Sequence, residues 1–245
     1  MLNEVIVKRQ QQVLYDKKWI KFLKRTWLFR HIPFVEFAVA AGSLATGNVN
    51  PDSDFDVIIG ARAGRIFTAR FFSVLGFGIF GWRRGRLHGA ATDRTHKSDK
   101  THRSYTADKI CLNHFVTPTS YRLSPPYNEY WKNLYQNLVP VYGSEEKIRE
   151  FFAANDWVVT SAEYLDDLRH LHRESSWTKR VREWILSGRF GDWVERRLRA
   201  LQTARIEKSL RKEAGYKPRI IYNDHELEFH PHTKRIEEYL NQLTK

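Results

Sequence analysis

The stretch Ala38 to Ile59, A-V-A-A-G-S-L-A-T-G-N-V-N-P-D-S-D-F-D-V-I-I, constrains this chain more tightly than any other part of it. The run Phe34 to Ala41 is apolar except for Glu36 and reads as a strand. Gly42-Ser43 follows, and then a turn-rich segment, Gly47-Asn48-Val49-Asn50-Pro51-Asp52. Asp54-Phe55-Asp56 leads into a second apolar strand that runs to Ile59 and is closed by Gly60. Two strands joined in this way belong to a sheet, with a glycine turn at the end of one and an acidic pair at the start of the other.

Side chains two apart on a strand leave the same face, so Asp54 and Asp56 share one face while Phe55 and Val57 point the other way, into a core. Two adjacent carboxylates repel each other unless a cation lies between them, and the neighbouring sequence offers none. A divalent ion with a preference for oxygen, Mg²⁺ or Mn²⁺, suits such a pair. Gly42 lacks a side chain and lets a phosphate approach the backbone. Ser43 stands where a short helix begins, where unpaired N–H groups favour an anion. Taken singly, Gly-Ser after a strand is an ordinary turn and Asp-x-Asp an ordinary polar strand edge. At this spacing and in this order they form a far more specific pattern.

Gly42-Ser43 through Asp54-Phe55-Asp56-Val57 resembles the signature of the DNA polymerase β-like nucleotidyltransferase superfamily. The segment G-S-L-A-T-G…S-D-F-D-V is most similar to its small prokaryotic members, the minimal nucleotidyltransferases and antibiotic-modifying enzymes. The resemblance fades beyond Ile59. It implies an α/β (α+β) fold, a mixed sheet with flanking helices. It also implies transfer of a nucleoside monophosphate from a nucleoside triphosphate to an acceptor hydroxyl. Gly42 and Ser43 would then contact the triphosphate, and Asp54 and Asp56 would hold Mg²⁺ or Mn²⁺.

Two positions depart from the family pattern. Thr46 stands where many small members carry Arg. The superfamily also brings a third carboxylate from a later strand, but the middle polar residue of the matching strand, Lys109 to Val116, is Asn113. Asparagine can offer a carbonyl oxygen to a metal but cannot act as a base. Strand alternation turns His114 away from whatever Asn113 lines, and Cys111 on the same strand is read as a small core residue. Asp108, Asp93 and Asp99 are the other acids within reach of this part of the chain. The substitution motivates a second expectation: a catalytically impaired nucleotide- or RNA-binding module, or an antitoxin-like partner of a helical toxin.

The signature falls in an α/β unit expected over 1–118. A mostly helical unit with a C-terminal hairpin and last helix is expected over 119–245. Residues Glu4 to about Arg30 and Arg65 to about Gly76 read as helices. Pro125-Pro126 is read as the start of another, Ser144 as the N-cap of the next, and 161–215 as mostly helical. Strands are expected near 35–40, 55–59 and 109–116, with Arg219–Tyr222 and Glu226–Phe229 forming the hairpin. Trp177, Trp184 and Trp193 are assigned to the core of the helical unit. His170, His172, His230 and His232 are given surface or packing roles.

The net charge of +13 lies in two regions. Residues 83–109 and 178–219 account for it between them, and the remainder of the chain is neutral by count. That pattern points to an anionic partner such as RNA. Within the first region, 83–107 has almost no large apolar residue and is expected to project as a loop. The single cysteine excludes an internal disulfide. The longest nearly apolar stretch, Phe71 to Trp82, is shorter than the ~20 residues of a membrane span. The early charges Glu4, Lys8 and Arg9 do not suit a signal peptide. A cytoplasmic protein without a membrane partner is therefore expected.

Overall fold

A computed structural model describes residues 2–84, 107–125, 127–160, 164, 166–210 and 219–230. Most of the 83–107 loop, Asp93, Asp99, His232 and the expected last helix lie outside the described residues. In chain order the helices are α1 (Leu2–Thr26), α2 (Gly42–Ala45), α3 (Ile66–Ile79), α4 (Glu129–Gln136), α5 (Glu145–Ala154), α6 (Trp177–Ile185) and α7 (Gly188–Leu210). The strands are β1 (Val35–Ala41), β2 (Phe55–Ala61), β3 (Ile110–Val116), β4 (Val139–Gly143), β5 (Arg219–Tyr222) and β6 (Glu226–His230). Among the described residues no helix is long and apolar enough to cross a membrane.

The six strands form one mixed sheet in the order β4-β1-β2-β3-β6-β5. β2 and β3 run parallel, and the other neighbouring pairs are antiparallel. The three expected strands are therefore central neighbours. The sheet takes β1, β2 and β3 from before residue 118, and β4 with the β5–β6 hairpin from after it.

Each strand face packs a separate core. Ala38, Ala40, Phe55, Val57, Ile59, Leu112, Phe115, Leu227 and Phe229 face α1, α3 and α7. Phe37, Val39, Ile58 and Val116 face Trp131 and Tyr135 of α4 and Ile148, Phe151 and Phe152 of α5. Phe55 and Val57 thus lie in the core, as strand alternation requires. The first turns of α4 and α5 are fixed by side-chain caps. Asn128 accepts from the Trp131 N–H and Ser144 from the Lys147 N–H. α4 therefore begins after Asn128, later than Pro125-Pro126 suggests.

α1 locks the turn ahead of the acidic pair. Its buried Lys18 donates to the carbonyls of Pro51 and Ser53 at 2.9 and 2.8 Å, and Gln11 donates to the Val49 carbonyl at 2.8 Å. Lys18 also meets Asp108 at 2.9 Å, and Lys21 and Arg25 close on the same residue. Burial alone would raise the Asp108 pKa, but hydrogen bonds from Lys21 and Lys18 outweigh it and lower the pKa. Asp108 is thus the hub of a structural ion cluster rather than a substitute third acid. Asp108→Ala is expected to destabilise the fold by about 2 kcal/mol, below the loss for a fully buried pair because Lys18 keeps two carbonyl acceptors. A carboxylate with a depressed folded pKa stabilises above its unfolded value, near 3.8, and that stability fades as pH falls through the lower folded pKa. Urea unfolding of wild type and variant at neutral and strongly acid pH should show the gap shrink in acid.

α6 corrects the sequence reading in another way. Trp177 and Trp184 are 74% and 78% exposed, and Trp193 of α7 is 49% exposed, so none of the three is core. α6 docks through its polar side. Buried Lys179 donates to the Val35 carbonyl and to the Tyr142 hydroxyl. Glu183 accepts from the Phe34 N–H at 2.7 Å and from Arg62 at 2.9 Å. Arg182 donates to the His31 carbonyl. Those anchors grip the entry to β1, where Phe34 is held at a φ of 63°. With the polar side turned inward, the apolar side of α6 faces out.

Candidate functional site

The acidic pair lies where β1, α2, β2 and β3 converge. β1 ends at Ala41, and α2 begins at once with Gly42 at a φ of 63°. Asp56 pairs with Ala41 on one side and with Cys111 on the other. A Cβ built on Gly42 would lie 2.1 Å from Asp56 Oδ2, so only glycine lets the backbone of the turn reach this carboxylate. Gly42, Ser43 and the acidic pair are therefore adjacent in space as well as in motif. Asp52 and Ser53, just before Asp54, sit in a turn closed by side-chain bonds. The Asp52 N–H reaches Asn50 Oδ1 and the Asn50 N–H reaches Ser53 Oγ, both at 2.9 Å.

The third member of the cluster is Cys111. The ligand atoms of Asp54, Asp56 and Cys111 all lie within 4.8 Å of one another. Cys111 is buried and its thiol hydrogen-bonds Asp56. Burial first, then the charges of Asp56 and Asp54, push the thiol pKa well above its ordinary value, so the thiol stays protonated. The sequence reading placed Asn113 opposite the acidic pair and made Cys111 plain core. An irregularity in β3 accounts for Asn113: Asp56 pairs with Cys111, but Ile58 pairs with His114, so β3 carries one extra residue between them, after Cys111, which lies where strand alternation puts it. Asn113, half-buried, falls in this bulge. His114 is shifted onto the face of Ile58, which strand alternation had denied it.

A cation is also present. Arg83 bridges to Ile110 beside β3, and the Arg84 N–H bonds the Ile110 carbonyl at 2.9 Å. This brings Arg84 Nη1 to 2.6 Å from Asp54 Oδ2 and 3.9 Å from Cys111 Sγ. Burial would lower the Arg84 pKa, but Asp54 and the other acidic groups around it hold it above its ordinary value. The charge that the local sequence lacked thus arrives from a residue some 30 positions away. Its sequence signal, one arginine in a basic run, was too common to single out.

Two carboxylates side by side fit one divalent ion with oxygen ligands. A cysteine sulfur, a soft donor, does not suit Mg²⁺ or Mn²⁺ as a third ligand. Farther along the same face, His114, Glu226 and Glu228 form a second buried group with ligand atoms within 4.8 Å of one another, and His114 Nε2 lies 3.2 Å from Glu226 Oε1. Glu226 and Glu228 come from β6, beside β3. Nothing in the local sequence marked them. His170 is buried with its Nε2 at 2.8 Å from the Gly143 carbonyl, a packing role, and burial lowers its pKa and that of His172. No protein-family model matches this chain, and no curated protein or solved structure matches it.

Proposed function

We propose that this chain transfers a nucleoside monophosphate from a nucleoside triphosphate to an acceptor hydroxyl, using Mg²⁺ or Mn²⁺ held by Asp54 and Asp56. The observation that carries this reading is the approach of the Gly42 backbone to the Asp56 carboxylate. It brings the backbone of the Gly42-Ser43 turn beside the Asp56 carboxylate, which supports a phosphate contact next to a metal held by the acidic pair. The ion would neutralise charge on the triphosphate. Gly42 and Ser43 would orient the phosphates, and Arg84 would be freed from Asp54 to meet the same negative charge. The acceptor oxygen bonds to the α-phosphorus as the bond to pyrophosphate breaks, and the hydroxyl proton leaves to solvent. RNA remains one proposed acceptor or partner, through the basic regions 83–109 and 178–219, and a cytoplasmic setting belongs to the same reading.

A second reading has its own support. The group around Asp54 and Asp56 holds, among the described residues, a neutral thiol in place of a third carboxylate, and Arg84 already balances Asp54. This favours a nucleotide-binding module with impaired turnover. Label transfer from α-labelled nucleoside triphosphates to RNA ends, protein or small hydroxyl acceptors separates the two. The first reading expects labelled product from wild type. The second expects binding without transfer, and a gain on the order of a hundredfold in Cys111→Asp, the scale of an added acid–base group. Cys111→Asp should unfold more readily without metal and recover with Mg²⁺, because a third carboxylate is added to two. Absence of nucleotide binding in both proteins would reject both readings.

A further inference from the structure

We propose that the outward face of α6, continued by the start of α7, docks this protein on the surface of an anionic lipid bilayer. Trp177, Val181, Trp184 and Ile185 recur at the spacing of one helix face, and they are 74%, 44%, 78% and 51% exposed. Phe190 and Trp193, stacked on each other at 6.1 Å, continue the apolar surface and are about half exposed. At ~250 Å² per indole, Trp177 and Trp184 alone present on the order of 400 Å², as much as the largest patch on many monomers. The inward anchors Lys179, Arg182 and Glu183 fix α6 in this orientation, so the face is presented by design of the docking rather than by a gap in the core.

Charge selects the occupant. Arg180, Arg189, Arg196 and Arg197 are exposed on α6 and the first half of α7. The nearby acids are engaged elsewhere: Glu183 with Phe34 and Arg62, Asp192 with Arg65, Glu195 with the first N–H groups of α3. A second copy of this surface would set arginine against arginine. Stacked bases would use the rings but have no use for Val181 and Ile185. A ridge of indoles and aliphatic side chains with guanidinium margins matches a helix lying in a bilayer interface, apolar face at the acyl boundary and arginines on lipid phosphates. Since no described helix can cross, contact is with one leaflet. The inference does not rest on nucleotidyl transfer, but it gives to lipid those arginines of 178–219 that an RNA partner would otherwise take.

The test uses the full chain with vesicles of phosphatidylcholine alone and of phosphatidylcholine mixed with phosphatidylglycerol, read by flotation and by tryptophan emission. Binding with a blue shift is expected on the mixed vesicles, and neither on the neutral ones. Trp177→Ser with Trp184→Ser should weaken binding at least about tenfold. Arg180→Glu with Arg189→Glu should weaken it on the order of fivefold per arginine at low salt. Val159→Ser, at an 86% exposed apolar residue outside this face, should change nothing. Thermal melts by circular dichroism should match wild type, and Trp184→Ser alone serves where the double variant does not fold. No partition onto mixed vesicles, or undiminished partition of the tryptophan variants, overturns the proposal. So does loss in those variants of single-stranded RNA binding or self-association that wild type shows without vesicle binding.

Discussion

Asp56→Ala should remove metal-dependent binding of nucleoside triphosphate, lowering affinity by at least about a hundredfold, about 2.8 kcal/mol at 1.4 kcal/mol per tenfold. Asp56 is one of two carboxylates able to hold the ion, and its oxygen is the one that meets the Gly42 turn. Stability should change little, because Asp56 is half-buried at the start of β2 and Phe55 and Val57 carry that strand's packing. Ser43→Ala should cost only a few-fold, since the backbone N–H groups remain to meet phosphate. Calorimetry with and without Mg²⁺ measures both. Because Asp54 is bound to Arg84 at 2.6 Å, entry of the ion competes with that guanidinium, and Arg84→Ala should bind metal alone more readily than wild type. Equal nucleotide binding by wild type and Asp56→Ala would show that the acidic pair is not a metal site.

Gly42→Ala should harm both fold and site. Alanine at a φ of 63° is strained, and its Cβ would fall 2.1 Å from Asp56 Oδ2. Either the turn withdraws from β2 or the carboxylate rotates away from Asp54. Strain and overpacking together suggest a loss on the order of 2–4 kcal/mol. Chemical unfolding gives the stability and calorimetry the nucleotide affinity. A wild-type-like Gly42→Ala would mean that the turn moves freely and is no cradle. Comparing it with Gly47→Ala isolates the collision: Gly47 also has a positive φ, 79°, but open space around its Cβ position.

Much of the fold was legible. β1, β2 and β3 announced themselves as apolar runs, and Ser144 declared its cap, because these depend on local pattern. The placement of Gly42, Asp54 and Asp56 was legible for the same reason: it needs only period-two alternation and a turn. What escaped depended on distant partners. The bulge in β3 is set by pairing with β2, so alternation put Asn113 at the site and turned His114 away. Arg84 reaches Asp54 only because the chain after α3 returns beside β3. The tryptophans of α6 were assigned to a core on the rule that large rings are buried, and the rule failed where Lys179 and Glu183 took the inner side.

The arrangement of the sheet also shapes how the chain comes into being during synthesis. β3 is complete at Val116, but its outer neighbour β6 begins at Glu226, 110 positions later by subtraction. At the usual pace of translation the ribosome needs roughly 5–20 s to deliver that strand. Throughout that interval β3, with Leu112 and Phe115 on one side and its backbone groups unpaired along one edge, is open to any passing strand. A nascent chain arrested before β6 would therefore tend to pair with its neighbours on a polysome. The last strands cover that edge of β3 and so remove it as a place for nascent chains to pair.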